Sequence, residues 1–195
     1  MMNDRRFPAS QAERLDKPER LLWLPPAEVI GALAVHTGET IADVGAGTGY
    51  FSLPLSSAVG AAGKVHAVDG QSEMLALLKM KLSQPEFANI QLIHAEAEQS
   101  GLPASCCDLF FLANVWHEIE DRVAVLLEAR RVLKKGGRIA ILDWRTDVEP
   151  VAGPPLAHRI APAVALGEIQ LAGFEEPASA EVGQFSWLVQ GEKVQ

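Results

Sequence analysis

The sequence predicts a doubly wound α/β protein, with a mostly parallel seven-stranded sheet that ends in a C-terminal antiparallel hairpin. From residue 40 onward, short apolar runs typical of strands alternate with segments of helical periodicity, which indicates a parallel sheet covered on both faces. The last two strand candidates are separated only by Gly183, which favours a hairpin. A length of 195 residues with 48% hydrophobic residues is typical of one domain with a substantial core.

The N-terminal part precedes the alternating pattern. Residues 1–24 are mostly polar, and Pro18 divides their leucine-bearing turns, which predicts one or two short helices. Residues 25–36 carry apolar positions at helical spacing behind a proline suited to a first turn, and Gly38 ends this helix. We therefore divide the single domain 1–195 into a helical lid, residues 1–24, and a core, residues 25–195.

The core contains seven predicted strands with helices between most of them. The strands are predicted over residues 40–44, 64–69, 90–95, 108–115, 138–144, 175–182 and 184–190. Helices are predicted over 51–59, 72–82 and 121–133, and a further helix ends at 171–174. The two lysines and two glycines at 134–137 have the chemistry of a helix C-cap. The longest irregular segment is the proline-rich stretch 147–155.

The charge balance argues against a nucleic-acid partner. The formal net charge is −8, whereas nucleic-acid binders cluster lysine and arginine on one face. The one dense basic cluster is Arg130, Arg131, Lys134 and Lys135, at the end of a predicted helix, where cations favour the helix dipole.

The cysteines and the hydropathy pattern indicate a soluble cytoplasmic protein. Adjacent Cys106 and Cys107 do not form a disulfide framework, so a reducing compartment fits. The longest apolar run, around residues 109–116, is too short to span a bilayer, and the polar residues 1–16 lack a signal-peptide core. We expect no membrane insertion, and the oligomeric state stays open.

The segment ETIADVGAGTGYF, residues 39–51, carries three closely spaced glycines where a strand turns into a helix. Such glycines let the backbone approach a ligand closely, and the first strand–helix unit is the usual place of a nucleotide site. The dinucleotide fingerprint has its third glycine at the sixth position, where this sequence has Tyr50, so a pyrophosphate-binding turn is disfavoured. The alternative is a tight turn without a ligand.

The motif DVGAGTG resembles the first motif of class I S-adenosylmethionine-dependent methyltransferases. Later segments resemble the following motifs of that family in order, from about residue 25 to 191: HAVDGQSEML, HAEAEQSGLP, DLFFLANVWHEI, ARRVLKKGGRIAILDW and LAGF before a terminal hairpin. The resemblance is nearest to the small-molecule branch that includes quinone-biosynthesis enzymes. NVWH replaces the asparagine-proline-proline-aromatic motif used on amino groups of bases and glutamine, which argues against those acceptors.

The resemblance implies a Rossmann-like fold, S-adenosyl-L-methionine as cofactor, and a set of binding residues. Asp69 would bind the ribose hydroxyls, Asp43 would orient the methionine portion or cap loop amides, and Asn114 would line the methyl-donor pocket. Glu96 and Ala97 would face the adenine, and Met74 either packs on the adenine or belongs to the core. The full set is Asp43, Gly45, Ala46, Gly47, Gly49, Asp69, Gly70, Met74, Glu96, Ala97 and Asn114.

His117 is the candidate catalytic base, since imidazole can take a proton near neutral pH. A histidine that only packs or caps is the alternative. Asp143, Trp144 and Arg145 end the fifth predicted strand, where they would face the acceptor. Asp143 and His117 lack the spacing of metal ligands, and we predict no metal site.

We expect methyl transfer from S-adenosylmethionine to a small-molecule acceptor by in-line displacement. The sulfonium donor is already activated, so holding donor and acceptor in line is the main task of the protein. Residues 1–24 and 145–159 would cover the acceptor cavity. The alternatives are a non-catalytic cofactor-binding module that acts through a partner and an NAD-dependent oxidoreductase.

Overall fold

The computed structural model describes residues 6–149 and 153–194, which form one sheet with helices on both faces. Within this part of the chain the strands are β1 Thr40–Val44, β2 Lys64–Asp69, β3 Ile90–His94, β4 Cys107–Ala113, β5 Leu133–Trp144, β6 Glu175–Val182 and β7 Ser186–Glu192. Their order is β3-β2-β1-β4-β5-β7-β6. Strands β1 to β5 are parallel, and β7 is antiparallel to β5 and β6. The predicted fold class is confirmed.

Six α-helices and several 3-10 turns connect the strands in the described residues. The helices are α1 Arg20–Trp23, α2 Pro26–Ala32, α3 Ser52–Val59, α4 Ser72–Lys81, α5 Arg122–Val132 and α6 Pro162–Leu171. The 3-10 turns are Ala9–Asp16, Pro85–Phe87, Ala97–Gln99, Trp116–Glu118 and Leu156–His158. Proline occupies the first turn of α2 and α6, and Asp121 caps α5 by accepting the Ala124 amide at 2.9 Å. Among the described residues, none of the helices is both long and apolar enough to cross a bilayer.

The core lies on both faces of the sheet, as the alternation within β1 illustrates. Ile41 packs into a cluster with Leu55 of α3, on the face that α2 and α3 cover. Ala42 packs on the opposite face, in a cluster that contains Val125 of α5 and Ile169 of α6. Successive strand residues point to opposite faces, so a strand buried on both sides needs continuous apolar sequence.

The predicted helix C-cap at residues 134–137 is wrong. Helix α5 ends at Val132, and Leu133 already has extended backbone angles and begins β5. The Gly136 amide donates to the Lys193 carbonyl at 2.7 Å, and the Lys193 amide donates to the Gly137 carbonyl at 2.8 Å. Pairing with the C-terminal segment therefore satisfies this backbone, and the positive φ of Gly136, 76°, lets the strand bend there.

The sheet order creates a crevice between β1 and β4. The chain moves outward from β1 to β3 in one direction and from β4 to β5 in the other, so the loops after β1 and β4 diverge at the carboxyl ends of adjacent strands. The two loops touch at Gly45, where an added Cβ would lie 2.4 Å from Val115 Cγ2. This close contact requires glycine at position 45, which also has a positive φ of 75°.

Candidate active site

A cleft of about 1040 Å³ opens at the carboxyl ends of the parallel strands. It is lined by the loops after β1, β2, β3 and β4, by the N-terminal segment, and by residues 153–155. Of the predicted site residues, Asp43, Gly45, Ala46, Gly47, Asp69, Gly70, Met74, Glu96, Ala97, Asn114 and His117 line this cleft, whereas Gly49 does not. An added Cβ at Gly49 would lie 2.3 Å from Leu78 Cδ1, so this glycine packs on α4 instead.

Asp69 ties the glycine loop to the loop after β2. Its Oδ2 accepts the Gly47 amide at 2.8 Å and its Oδ1 accepts the Gln71 amide at 2.8 Å. The side chain is 8% exposed, and burial raises the pKa of Asp69, although the amides of Gln71 and Gly47 oppose this. Each carboxylate oxygen can accept more than one hydrogen bond, so Asp69 retains acceptor capacity for hydroxyl groups in the cleft.

Asp43 and Asn114 bring two further acceptors to the floor of the cleft. Asp43 is buried and accepts the Ser52 hydroxyl at 2.5 Å, and burial raises its pKa to about 7. Asn114 directly follows β4 with a positive φ of 57°, and its buried Oδ1 has no hydrogen-bond partner within the described residues. A buried acceptor left without a donor costs free energy, so the site is built for a ligand that donates hydrogen bonds.

The N-terminal segment is held against the loops after β2, β3 and β4. Arg6 Nη2 contacts Glu96 Oε2 at 2.6 Å, beside Gly70, where an added Cβ would lie 2.7 Å from the same oxygen. Gln71 Nε2 donates to the Phe7 carbonyl at 3.0 Å, and the Phe7 amide donates to Glu118 Oε2 at 3.1 Å. These contacts bring residues 6–9 across one side of the cleft.

His117 and Asp143 form a buried pair at the carboxyl ends of β4 and β5. Nδ1 of His117 lies 2.8 Å from Asp143 Oδ1, and the His117 amide donates to Asp143 Oδ2 at 2.8 Å. The Trp144 amide also donates to Asp143 Oδ1, at 2.7 Å. Burial alone would lower the pKa of His117, but the charge and hydrogen bond of Asp143 outweigh it and raise the pKa.

Glu118 lies next to this pair. Its Oε1 is 3.7 Å from His117 Nε2, and burial raises the pKa of Glu118 to about 7. The Asp143 carboxylate accepts a hydrogen bond from Nδ1–H of His117, so Nε2 is the nitrogen that can take a proton from a bound molecule. A histidine held in this tautomer by a buried carboxylate is the arrangement of a general base.

The far end of the cleft is aromatic. Trp23 of α1 and Trp144 of β5 have ring centroids 5.2 Å apart, and both line the cleft. Gly153 packs on Trp144, since an added Cβ there would lie 2.8 Å from the indole ring. The prediction that Arg145 faces the acceptor is wrong, because Arg145 does not line the cleft and instead pairs with Asp147 at 2.8 Å and with Glu181.

The residues of the cleft to which sequence reasoning assigned no role include Arg20, Gln71 and Glu118. Gln71 follows Asp69 closely, so its place after a strand end was a signal. Arg20 lies in a polar segment whose burial no local pattern reveals. Of the regions predicted to cover the cleft, residues 1–5 and 150–152 lie outside the described residues.

Residues 42–141 match a family model described as a methyltransferase domain. The chain belongs to this methyltransferase family. A solved S-adenosylmethionine-dependent methyltransferase from Aquifex aeolicus is 31% identical, with a TM-score of 0.91, and the match covers 97% of this chain and 100% of that one. The predicted resemblance to class I S-adenosylmethionine-dependent methyltransferases is thereby confirmed, and with it the prediction of an enzyme.

Two other comparisons concern a curated relative and a solved structure of the same fold. The demethylmenaquinone methyltransferase of Oceanobacillus iheyensis is 33% identical over 109 residues, or 56% of this chain and 46% of the relative. The chain thus spans about half the length of the curated relatives it matches. A Haemonchus contortus phosphoethanolamine N-methyltransferase, solved with S-adenosylhomocysteine, shares the fold at a TM-score of 0.71 and 14% identity, covering 87% of this chain and 52% of that one.

The cofactor of this methyltransferase family member is S-adenosyl-L-methionine, as predicted, and the cleft fits it. The loop at Gly45 and Gly47 leaves room where side chains would otherwise stand, and an added Cβ at Gly47 would lie 3.3 Å from Leu15 Cδ1. The unpartnered oxygen of Asn114 and the buried carboxylates of Asp43 and Asp69 match a ligand that carries an ammonium group and ribose hydroxyls.

Proposed function

We propose that this protein transfers the methyl group of S-adenosyl-L-methionine to a small-molecule acceptor by in-line displacement. The observation that carries the proposal is that one cleft is lined both by the glycine loop with Asp69 and by His117, which is held from behind by the fully buried Asp143. Donor-binding groups and a proton acceptor therefore face the same space, which positions two reactants for direct transfer.

In this proposal the loops after β1, β2, β3 and β4 hold the cofactor. Asp69 accepts hydrogen bonds from the ribose hydroxyls, and Asp43 and Asn114 accept hydrogen bonds from the ammonium group. The adenine is contacted by Met74, Glu96 and Ala97. When bound, the cofactor supplies a methyl group already activated by a positively charged sulfur. Buried acceptors at fixed positions cost little reorganisation, so the site orients its ligand before the reaction begins.

His117 takes the proton that the acceptor loses. Asp143 holds the hydrogen on Nδ1, and Nε2 removes the proton from the reacting oxygen or carbon of the acceptor as that atom gains the methyl group. The products are the methylated acceptor, S-adenosylhomocysteine and a proton on His117 that later passes to water. Asp143 stabilises the imidazolium through its negative charge.

We propose a compact ring compound such as a reduced quinone as the acceptor. Trp23 and Trp144 offer aromatic faces to the same cleft that His117 lines, and planar rings stack well on such faces. The name demethylmenaquinone methyltransferase of the relatives supports the same acceptor class. Residues 6–24 and 153–159, within a single domain, would act as the lid that excludes water from this space.

Calorimetric titration with S-adenosylhomocysteine, with NAD as the control ligand, tests the cofactor assignment. We expect micromolar binding of S-adenosylhomocysteine alone, which corresponds to roughly −8 kcal/mol. Formation of S-adenosylhomocysteine from S-adenosylmethionine is then measured with reduced naphthoquinones and benzoquinones. Binding without turnover on any acceptor would favour the non-catalytic module, and binding of NAD instead would favour the oxidoreductase.

A further inference from the structure

Arg20 is a buried cation at the edge of the cleft. It begins α1, is 8% exposed, and lines the cleft, and its Cζ lies 3.8 Å from the centroid of the Tyr50 ring. Burial lowers its pKa to about 10, although Tyr50, Asp16 and Asp43 oppose this. Removing a guanidinium from water is costly unless other groups replace its hydration.

Within the described residues, the donors of Arg20 are poorly satisfied. Nη1 donates to the Leu15 carbonyl at 3.1 Å, Nε is buried without a hydrogen-bond partner, and no carboxylate lies within 4.0 Å of the guanidinium. Arg159 provides an internal comparison, because it is equally buried at 7% exposed. Its guanidinium donates to the carbonyls of Pro154, Arg145 and Val148 at 2.7–3.2 Å. Arg20 therefore lacks the set of carbonyl acceptors that surrounds a similarly buried arginine in the same fold, and no anion among the described residues replaces them.

Two carboxylates act on the charge of Arg20, those of Asp16 and Asp43, and of these Asp43 is the one that lines the cleft. Arg20 and Asp43 each influence the charge of the other, but within the described residues they do not form an ion pair. A buried cation and a buried carboxylate that line the same cleft offer opposite charges to an amino-acid zwitterion, which carries both an ammonium group and a carboxylate. The unpartnered Oδ1 of Asn114 adds an acceptor for the ammonium.

We propose that Arg20 binds the α-carboxylate of the amino-acid portion of the cofactor, opposite Asp43 and Asn114, which bind its ammonium group. The inference rests on the proposed function, since it assumes that S-adenosylmethionine occupies this cleft. It assigns to the N-terminal segment a direct part in cofactor recognition. Tyr50, which follows the glycine loop, fixes the guanidinium plane by stacking on it.

A ligand-truncation cycle tests the inference by calorimetry, without any catalytic readout. S-Adenosylhomocysteine is compared with its decarboxylated analogue, S-adenosyl-3-thiopropylamine, which retains the ammonium group. The wild-type protein should bind the complete ligand roughly 10- to 100-fold more tightly, as expected for a charge-assisted contact. Arg20→Met should lose this preference by weakening only the binding of S-adenosylhomocysteine, while affinity for the analogue stays the same.

Two further variants make the cycle specific. Lys135→Met removes one positive charge from an exposed site at the opposite end of the sheet, and it should keep the wild-type preference. Arg20→Lys keeps the charge but not the planar fork, and an intermediate preference is expected. Binding of the analogue also reports whether each variant is folded with an intact adenosyl site.

Each outcome decides the inference. Equal wild-type affinity for the two ligands would overturn it while leaving cofactor binding and the proposed function in place. If Arg20→Met lost affinity equally for both ligands, Arg20 would support the shape of the cleft and would not bind the carboxylate. If Arg20→Met bound both ligands as the wild type does, Arg20 would not contact the cofactor. Either result contradicts the proposal. If the folded wild-type protein bound neither ligand, the proposed function itself would fail. If Arg20→Met does not fold, the wild-type and Arg20→Lys comparisons decide.

Discussion

Single side chains in this protein are held by partners that lie far away in the sequence. His117 and Asp143 are 26 residues apart but share a hydrogen bond of 2.8 Å, and the Phe7 amide reaches Glu118 across 111 residues. Burial decides how these groups behave, because it changes the free energy of their charged forms. Chemistry at the residue scale therefore depends on which strand ends the sheet brings together.

Asp69→Ala should weaken S-adenosylhomocysteine binding by on the order of 2 kcal/mol, since it removes the acceptor for the ribose hydroxyls and the anchor of the Gly47 and Gln71 amides. Isothermal titration calorimetry measures the change. Glu73→Ala, which removes an exposed carboxylate on the neighbouring helix α4, should bind like the wild type. Equal affinity of Asp69→Ala and wild type would show that the ribose assignment is wrong.

His117→Ala should lower kcat by roughly 10²- to 10⁴-fold, the usual contribution of a positioned base, with cofactor affinity nearly unchanged. Because Asp143 raises the pKa of His117 despite burial, the wild-type rate should rise with pH through a pKa above the ordinary 6.5, and this limb should disappear in the variant. Steady-state rates between pH 5 and 9 measure this. His36→Ala, at an exposed histidine, is the control. A variant with full activity would mean that positioning alone suffices.

The elements around the cleft are joined by glycines that permit close contacts. Gly45 brings the loop after β1 onto the loop after β4, and Gly49 brings the start of the following helix onto Leu78 of α4. A side chain at either position would force apart elements that are now in close contact. The glycine loop that lines the cleft is thus also a packing junction between elements.

Gly49→Ala should destabilise the fold by more than Gly38→Ala. Both glycines have nearly the same positive φ, 88° and 89°, so the backbone strain of the substitution is matched. An added Cβ at Gly49 would lie 2.3 Å from Leu78 Cδ1, whereas none of the surrounding atoms lies within 4 Å at Gly38. We expect a difference of about 1–3 kcal/mol in the free energy of unfolding, measured by urea denaturation. Equal losses would mean that Leu78 moves aside at no cost.

At the scale of the whole molecule, the sheet brings several buried acidic residues together at the carboxyl ends of its parallel strands. Asp43, Asp69, Glu118 and Asp143 all lie at the carboxyl ends of parallel strands or just beyond them, and each is buried or nearly so. This arrangement supplies acceptors for a ligand, but it is costly in the ligand-free protein because ionised carboxylates are removed from water. The buried acids that serve the proposed function therefore lower the free energy of unfolding, and the size of this effect depends on pH.

The contribution of Asp43 and Glu118 to the free energy of unfolding of the ligand-free protein should fall as pH rises from about 4 to 7. Burial raises the folded-state pKa of both to about 7, from 3.8 and 4.5, so the native state binds protons more tightly than the unfolded chain in this window. The contribution is fully present below the unfolded values and is lost as pH rises through about 7. Acids with lowered pKa, such as Glu128, act in the opposite direction.

Asp43→Asn isolates this effect. The variant should lose less stability than the wild type between pH 4.5 and 7.5, by on the order of 2 kcal/mol, because it has no carboxylate to ionise at that position. Urea unfolding followed by circular dichroism at several pH values gives the comparison, and Glu73→Gln at an exposed site is the control. Parallel pH curves for wild type and Asp43→Asn would show that Asp43 ionises without penalty in the native state.

Local signals in the sequence were sufficient for the architecture and for the location of the cleft. Alternating strand and helix periods predicted the sheet, and the glycines before Tyr50 with an acid at each of two strand ends predicted residues that line the cleft. These signals are short-range, since a turn, a cap or a strand end depends on residues within one or two elements. The start of β5 was missed for the opposite reason, because residues 134–137 pair with a segment more than fifty residues later.

The amino-acid sequence by itself thus determined the fold class, the methyltransferase family and a set of candidate site residues, most of which line one cleft. Only the tertiary structure decided that His117 meets Asp143, that Arg20 is buried without an anion, that Phe7 contacts Glu118, and that Arg145 points away from the cleft. The physical reason is that backbone pattern follows from neighbours along the chain. The burial and partners of a side chain follow from the order of strands in the sheet, which brings together residues that no local pattern connects.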